Sequence, residues 1–372
     1  MANIYQSVIE ELLQPAGVTI NRNDPAGITV HDDRFYRRVL LDGSLGLGES
    51  YIDGWWDSDA PDEFLYRLIN SNIEEQLKTN VKIWWQILKA RMFNLQGRLQ
   101  SERDIKLHYN TGNDLFERML DKYMIYSCGY WANASDLDEA QEHKLDLICR
   151  KLKLAPGQQV LDIGCGWGGL AQYAAEKYGV FVTGITLSAE QERVAIQRCR
   201  GLSVKILLQD YRDLHGRFDR IVSVGMFEHV GYRNYDRFMS VVQQCLKNDG
   251  LFLLHCIGSN ESRVTTDAWI NRYIFPGGMM PSVAQIGRAI EKKFIIQDWH
   301  NFGHDYDYTL MAWLRNFKAA WYQIKDRYGD RFYRMWVYYL CLSAASFRAN
   351  KNNLWQIVLT KPGYSEVYQS VR

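Results

Sequence analysis

From residue 159 onward, short apolar runs alternate with stretches of helical spacing. The runs are QVLDIG (159–164), VFVTGITL (180–187), VKILLQD (204–210), FDRIVSVG (218–225) and GLFLLHCIG (250–258). Helix-like segments at 188–200 and 234–247 separate some of them, and Pro156-Gly157 marks where the pattern begins. Alternation at this spacing predicts an α/β fold: a mostly parallel, doubly wound sheet with helices on both faces. Two later β-rich segments, FIIQDW (294–299) and LWQIVLT (354–360), bring the expected strands to seven.

Upstream, about the first 100 residues read as mainly helical. Val81, Trp84, Trp85, Leu88, Met92, Leu95 and Leu99 repeat at helical spacing, with Lys82, Lys89, Arg91 and Arg98 along the edges. Such a stripe fits a helix lying on an anionic membrane surface, with Trp at the interface and cationic stems reaching outward. The same pattern also fits a helix packed into a core with solvated edges. The Gly-rich segment GSLGLGESYIDGWW (43–56) follows no strand and has no P-loop Lys, so it reads as a cluster of structural turns.

The chain has 372 residues, 47% of them hydrophobic, enough for a large core. Its net charge of +1 carries no general footprint for nucleic acid. The seven Cys are scattered without a C-x-x-C pair, which argues against a zinc ribbon or a disulfide framework, so no metal is expected. No apolar run approaches the about 18–20 residues that cross a bilayer, and the first residues lack the features of a signal peptide. A soluble protein of a reducing compartment is expected.

Candidate chemistry concentrates at the end of the first strand, in Val160-Leu161-Asp162-Ile163-Gly164-Cys165-Gly166-Trp167-Gly168-Gly169. Glycines here let the backbone turn sharply and approach a ligand over a helix N-terminus. Asp162, two residues before the first of them, suits a ligand bearing an amino group better than a pyrophosphate. The second strand ends in Thr186-Leu187-Ser188 with Gln191 following, where nucleotide folds often place an acid on the ribose. Hydroxyl and amide groups are left for that task, chiefly Thr186 and Gln191, while Ser188 doubles as a helix N-cap. Gln209 and Asp210, after the third strand, can hydrogen-bond an adenine edge, with Tyr211 beside them. Three strand ends of this kind favour S-adenosylmethionine over a nicotinamide dinucleotide.

With HYNTGNDLFERML, YSCGYW, LDIGCGWGGLA, LLQDYRDL, SVGMFEHVG, YIFPGGMMPS, DWHNFGHDYDYTLMAW and FRANKNNLWQ, the chain resembles the cyclopropane-fatty-acyl-phospholipid synthases of the bacterial type with an N-terminal helical extension. The resemblance implies a seven-stranded methyltransferase fold. It also implies transfer of the S-adenosylmethionine methyl to the cis double bond of an unsaturated phospholipid acyl chain. The resulting carbocation is deprotonated to a cyclopropane by bound bicarbonate. It places the anion among Cys128, Glu228, His255 and Tyr306, with the main chain near Ile257, and adds Tyr126 and Ser127 to the cofactor contacts.

Without the resemblance, Cys128 reads as a small buried hydrophobe, His255 as a core histidine and Tyr306 as a packing aromatic. Glu228, just past a strand's carboxyl edge, stands at even odds. Where the family often has a Cys in its C-terminal helical segment, this chain has Ser343, with Cys341 two residues away and turned elsewhere on the helix. Ser343 either lines the pocket or is structural.

Residues 1–105 are expected to form a helical domain for membrane or lipid docking and homodimer contacts. Residues 106–372 would form the catalytic domain, with an insert at about 260–350 over the acyl chain. The expected location is cytoplasmic, at the inner face of the membrane, with the phospholipid bilayer as a peripheral partner and Arg348 and Lys351 facing headgroups. Alternatives are a relative that methylates or hydroxylates carrier-bound chains, and a non-catalytic lipid-binding module.

Overall fold

The computed structural model describes residues 2–22, 24–71, 73 and 112–372. They divide into two compact units, one largely helical and one built on a sheet. The sheet unit comprises Leu120–Thr266, Gly277–Ala312 and Lys351–Arg372. Its strands are β1 (Gln159–Ile163), β2 (Phe181–Thr186), β3 (Val204–Leu208), β4 (Phe218–Val224), β5 (Leu246–Ser259), β6 (Ile295–Asn301) and β7 (Asn352–Thr360), so all seven expected runs form strands. Their order is β3-β2-β1-β4-β5-β7-β6. Neighbours from β3 to β5 pair in parallel, and β7 runs antiparallel to both β5 and β6.

The central strands are buried on both faces, which is why they read as nearly continuous apolar runs, whereas the outer β3 and β6 are partly exposed. Leu161, Ile221, Phe252, Leu254 and Ile357 pack on one side with helices Tyr235–Cys245 and Val283–Ile290. Val160, Val182, Val222, Leu251 and Val358 pack on the other with Leu137–Lys151 and Gly169–Tyr178. The order reverses at β1, which lies between β2 and β4. In doubly wound sheets such a switch point opens a crevice at the carboxyl ends of the strands.

The helical unit comprises residues 1–119, Asp267–Pro276 and Trp313–Asn350. The cut expected near residue 105 therefore does not describe it, because two pieces of the late insert belong here. The reason is packing: Trp269 lies against Tyr338 with ring centroids 4.7 Å apart, and Tyr338 lies against Tyr51 at 5.6 Å. The helical stretch His304–Arg348 is broken at Gly329 (φ +74°). The Gly-rich segment expected as turns is instead the helix Ser44–Ile52. Its glycines provide close approach, since a Cβ on Gly48 would fall 2.4 Å from the Trp269 ring.

Arg348, expected to face headgroups, is held by Asp62 at 3.0 Å and Glu63 at 3.4 Å, so its charge is already partnered. The stripe at 81–99, with Lys82, Lys89, Arg91 and Arg98, lies outside the described residues. All seven cysteines are unpaired and buried. No helix among the described residues is long and apolar enough to cross a membrane, and no cluster among them has a metal-binding set of side chains.

Candidate active site

After β1 the chain turns through Gly164 (φ +89°), Gly166 and Gly168 into helix Gly169–Tyr178. A Cβ on Gly164 would fall 2.9 Å from Met226 Cβ, and its φ lies in the region that favours glycine, so space and backbone both exclude a side chain. This turn lines a cavity of about 320 Å³ at the carboxyl ends of β1, β2 and β4.

Of the residues chosen from the sequence, Tyr126, Ser127, Asp162, Ile163, Gly164, Cys165, Gly166, Trp167, Thr186, Leu187, Gln191, Gln209 and Tyr211 line the cavity. Val160 and Leu161 do not: alternation along β1 sends their side chains into the two cores. Gly168 serves as the helix N-cap (φ +82°). Ser188 caps helix Ala189–Arg198, its Oγ accepting from Gln191 N at 3.3 Å. Asp210 is also outside the lining. Its carboxylate accepts from Arg212 N at 2.8 Å, Nε at 2.8 Å and Nη2 at 2.6 Å.

The remaining polar groups are arranged in advance. Thr186 Oγ1 donates to Gln191 Oε1 at 2.8 Å, which leaves the Gln191 amide NH2 as the donor. Gln209 Nε2 donates to the Asp213 carbonyl at 2.7 Å, which leaves its Oε1 as acceptor. Asp162 is 2% exposed with no side-chain partner, and burial pushes its carboxyl up to about 7 against the pull of Lys144.

The far wall is the loop carrying Tyr126, Ser127 and Cys128. Asp121 starts it, its buried carboxylate accepting from Tyr123 N and Ile125 N, each at 2.8 Å. Helix Leu137–Lys151 braces it: Gln141 Nε2 donates to the Ser127 carbonyl at 2.8 Å, and Lys144 Nζ to Ser127 Oγ at 3.0 Å. Burial lowers the Lys144 ammonium to about 8. Thr309, fully buried, fixes the far end of the loop. Its Oγ1 accepts from Gly129 N at 3.0 Å and Trp131 Nε1 at 2.9 Å and donates to the Asp305 carbonyl at 2.8 Å. Cys128 Sγ lies 3.7 Å from the same oxygen, and burial raises its thiol well above the ordinary range, so it stays protonated.

Glu228 sits in the short 3-10 turn Phe227–His229 that follows β4. Its Oε1 accepts from Ile257 N at 2.7 Å, so the amide expected to face an anion is committed to Glu228. Its Oε2 is buried with no partner, and burial pushes the carboxyl up to about 7. His255, two residues before Ile257 on β5, shares its face of the strand. Gln356 Nε2 lies 3.2 Å from His255 Nδ1, while His255 Nε2 is buried without a partner. Burial holds this imidazole well below its usual range, so it is neutral. Tyr306 is buried in the same helical turn as Asp305, on the segment that holds the Cys128 loop. Cys128, Glu228, His255 and Tyr306 therefore belong to one unit, and Ser343 lies in the helical one.

Lys144, Gln141, Met226, His229, Thr309 and Gln356 were not singled out in the sequence. Gln141 and Lys144, three residues apart on the helix face that carries Leu145 and Ile148, offered the one local signal: polar side chains within a buried stripe.

The chain is 54% identical over 357 residues to the cyclopropane-fatty-acyl-phospholipid synthase of Escherichia coli (strain K12), covering 96% of this chain and 94% of that protein. A probable fatty acid methyltransferase of Pseudomonas putida is 38% identical over 271 residues, 69% of each chain. Among solved structures, the cyclopropane synthase MmaA2 from Mycobacterium tuberculosis superposes with a TM-score of 0.65 at 29% identity, over 72% of this chain and 100% of that one. The mycolic acid cyclopropane synthase CmaA1 complexed with SAH and CTAB gives 0.64 at 32%, over 69% and 97%. Since residues 96–357 also match the sequence profile of the mycolic acid cyclopropane synthetases, the chain belongs to that family.

Proposed function

We propose that the chain transfers the methyl of S-adenosylmethionine to the cis double bond of an unsaturated phospholipid acyl chain and closes a cyclopropane ring. The observation that carries this is the 54% identity, over nearly the whole chain, to a cyclopropane-fatty-acyl-phospholipid synthase. The cavity supports it: Asp162 takes the ammonium of the donor, and Thr186, Gln191 and Gln209 offer partners to its nucleoside. An alkene is a weak nucleophile and needs the sulfonium methyl held in line, within about 3–3.5 Å. The alkene π pair bonds to that methyl as the C–S bond breaks, leaving a cation on the acyl chain. A proton is then lost from the added methyl as the ring closes, so the lipid gains CH2.

Bicarbonate fits the residues present, because Glu228 Oε2 and His255 Nε2 are both buried without partners. When bound, it supplies a small base for the methyl proton. Glu228, anchored by Ile257 N, would accept its O–H through Oε2, and His255 would donate to it through Nε2. The buried Phe302 and Tyr306, with the half-buried Tyr130 against Phe302, would exclude water and offer ring faces to a cation.

The proposal extends to peripheral membrane contact through residues 81–99, which lie outside the described residues, and to pairing of two chains through the helical unit. Reversing charge at Lys82, Lys89 and Arg91 should lower activity on anionic vesicles more than it lowers cofactor binding. Equal losses would make that stretch structural.

The direct test supplies vesicles of monounsaturated phospholipid and a labelled methyl donor, then weighs the lipids. A gain of CH2 is expected. A gain of CH2 plus water would make the enzyme a hydroxylating relative, and unchanged lipid with tight donor binding would make it a binding module.

A further inference from the structure

Lys144 is 1% exposed, and among the described residues lining the cavity it is the one ammonium or guanidinium group. Its single hydrogen bond goes to Ser127 Oγ at 3.0 Å, and no carboxylate lies within ion-pair distance. Burying an ammonium with two of its three N–H groups unspent is costly unless something else supplies negative charge. Pinning the loop does not account for it, because Gln141 already holds Ser127 through its carbonyl at 2.8 Å.

Ser127 Oγ accepts from Lys144, so its own O–H remains to be donated. The ammonium and this hydroxyl thus form one donor set on the cavity wall, suited to a carboxylate. Asp162, also lining the cavity, is a buried acid without a side-chain partner. A cavity presenting an unspent cation and an unspent anion matches a zwitterion, the form of a free α-amino acid end.

We propose that Lys144, with Ser127, binds the carboxylate of the cofactor's methionine end while Asp162 binds its ammonium. The proposal rests on the assignment of the cavity to S-adenosylmethionine. Lys144 then makes the site select an intact amino acid rather than any adenosyl sulfonium.

The test is a binding titration of wild type and Lys144→Met with three ligands: S-adenosylmethionine, its decarboxylated form, and 5′-methylthioadenosine. Wild type should prefer S-adenosylmethionine over the decarboxylated form by about 10- to 100-fold, the range for a hydrogen bond to a charged group. Lys144→Met should lose most of that preference, while binding of the other two ligands changes by less than about 3-fold. Equal weakening of all three would make Lys144 structural and overturn the proposal, as would an unchanged preference in the variant. If the variant does not fold, the wild-type comparison still decides, since equal affinity for the first two ligands overturns it. Failure of wild type to bind any of the three would instead sink the cofactor assignment.

Discussion

His255 and Gln356 stand directly opposite each other on β5 and β7, and the Gln356 amide nitrogen lies 3.2 Å from His255 Nδ1. With that amide donating, Nδ1 accepts, and the neutral ring carries its proton on Nε2. Gln356→Leu removes this control. Turnover should fall by about 10-fold or more while donor affinity stays within about 3-fold, and Gln356→Glu should favour the other tautomer. Nitrogen-15 shifts of the imidazole in each variant check the assignment.

The pH dependence of Glu228 follows from its burial. Its carboxyl titrates near 7 in the folded protein against 4.5 ordinarily. Between those values the folded chain holds a proton that the unfolded chain lacks. Stability from this group is therefore full below 4.5 and is lost as pH rises through 7. Above that, keeping the carboxylate buried costs on the order of 3 kcal/mol. Glu228→Gln should therefore gain Tm relative to wild type on going from pH 5 to pH 8. It should still bind donor, yet form ringed product about 100-fold more slowly or worse. Asp162 titrates in the same range, so the wild-type-to-variant difference is the quantity to follow.

Gly164→Ala places a Cβ against Met226 in a left-handed backbone. A loss of about 1–3 kcal/mol in stability and a marked loss of donor affinity are expected. Chemical denaturation and a donor titration measure the two.

Thr309→Val keeps shape but strands two donors, Gly129 N and Trp131 Nε1. Each buried unsatisfied donor costs about 1–3 kcal/mol. Denaturation should show the loss, and turnover should fall because the Cys128 loop is no longer fixed. Thr309→Ser should restore most of both.

Strands β1, β2, β4, β5 and β7 were legible because burial writes each as an apolar run between turns, and the outer β3 and β6 because their apolar residues still cluster between turns. Gly164 and Asp162 were legible because a sharp turn and a lone acid stand out against such a run. Gln356 was not, because its partner is 101 residues away and the pairing exists only once the strands are in register. Thr309 likewise acts on Gly129, 180 residues distant, and reads in the sequence as one more helix position. Tyr126, Ser127 and Cys128 came from family likeness alone, since an irregular loop has no period to read. The two-piece contribution of 267–276 and 313–350 to the helical unit was hidden for a related reason. Trp269 and Tyr338 meet only once the chain has folded, and no local period records that pairing.

Burial of every cysteine gives the chain an intrinsic unfolding reporter. Alkylation needs a thiolate that reaches water, and burial raises all seven thiols above their ordinary range. Cys341 belongs to the helical unit and the other six to the sheet unit. The order in which mass spectrometry finds them alkylated therefore records which unit opens first, with no dye attached and no residue changed.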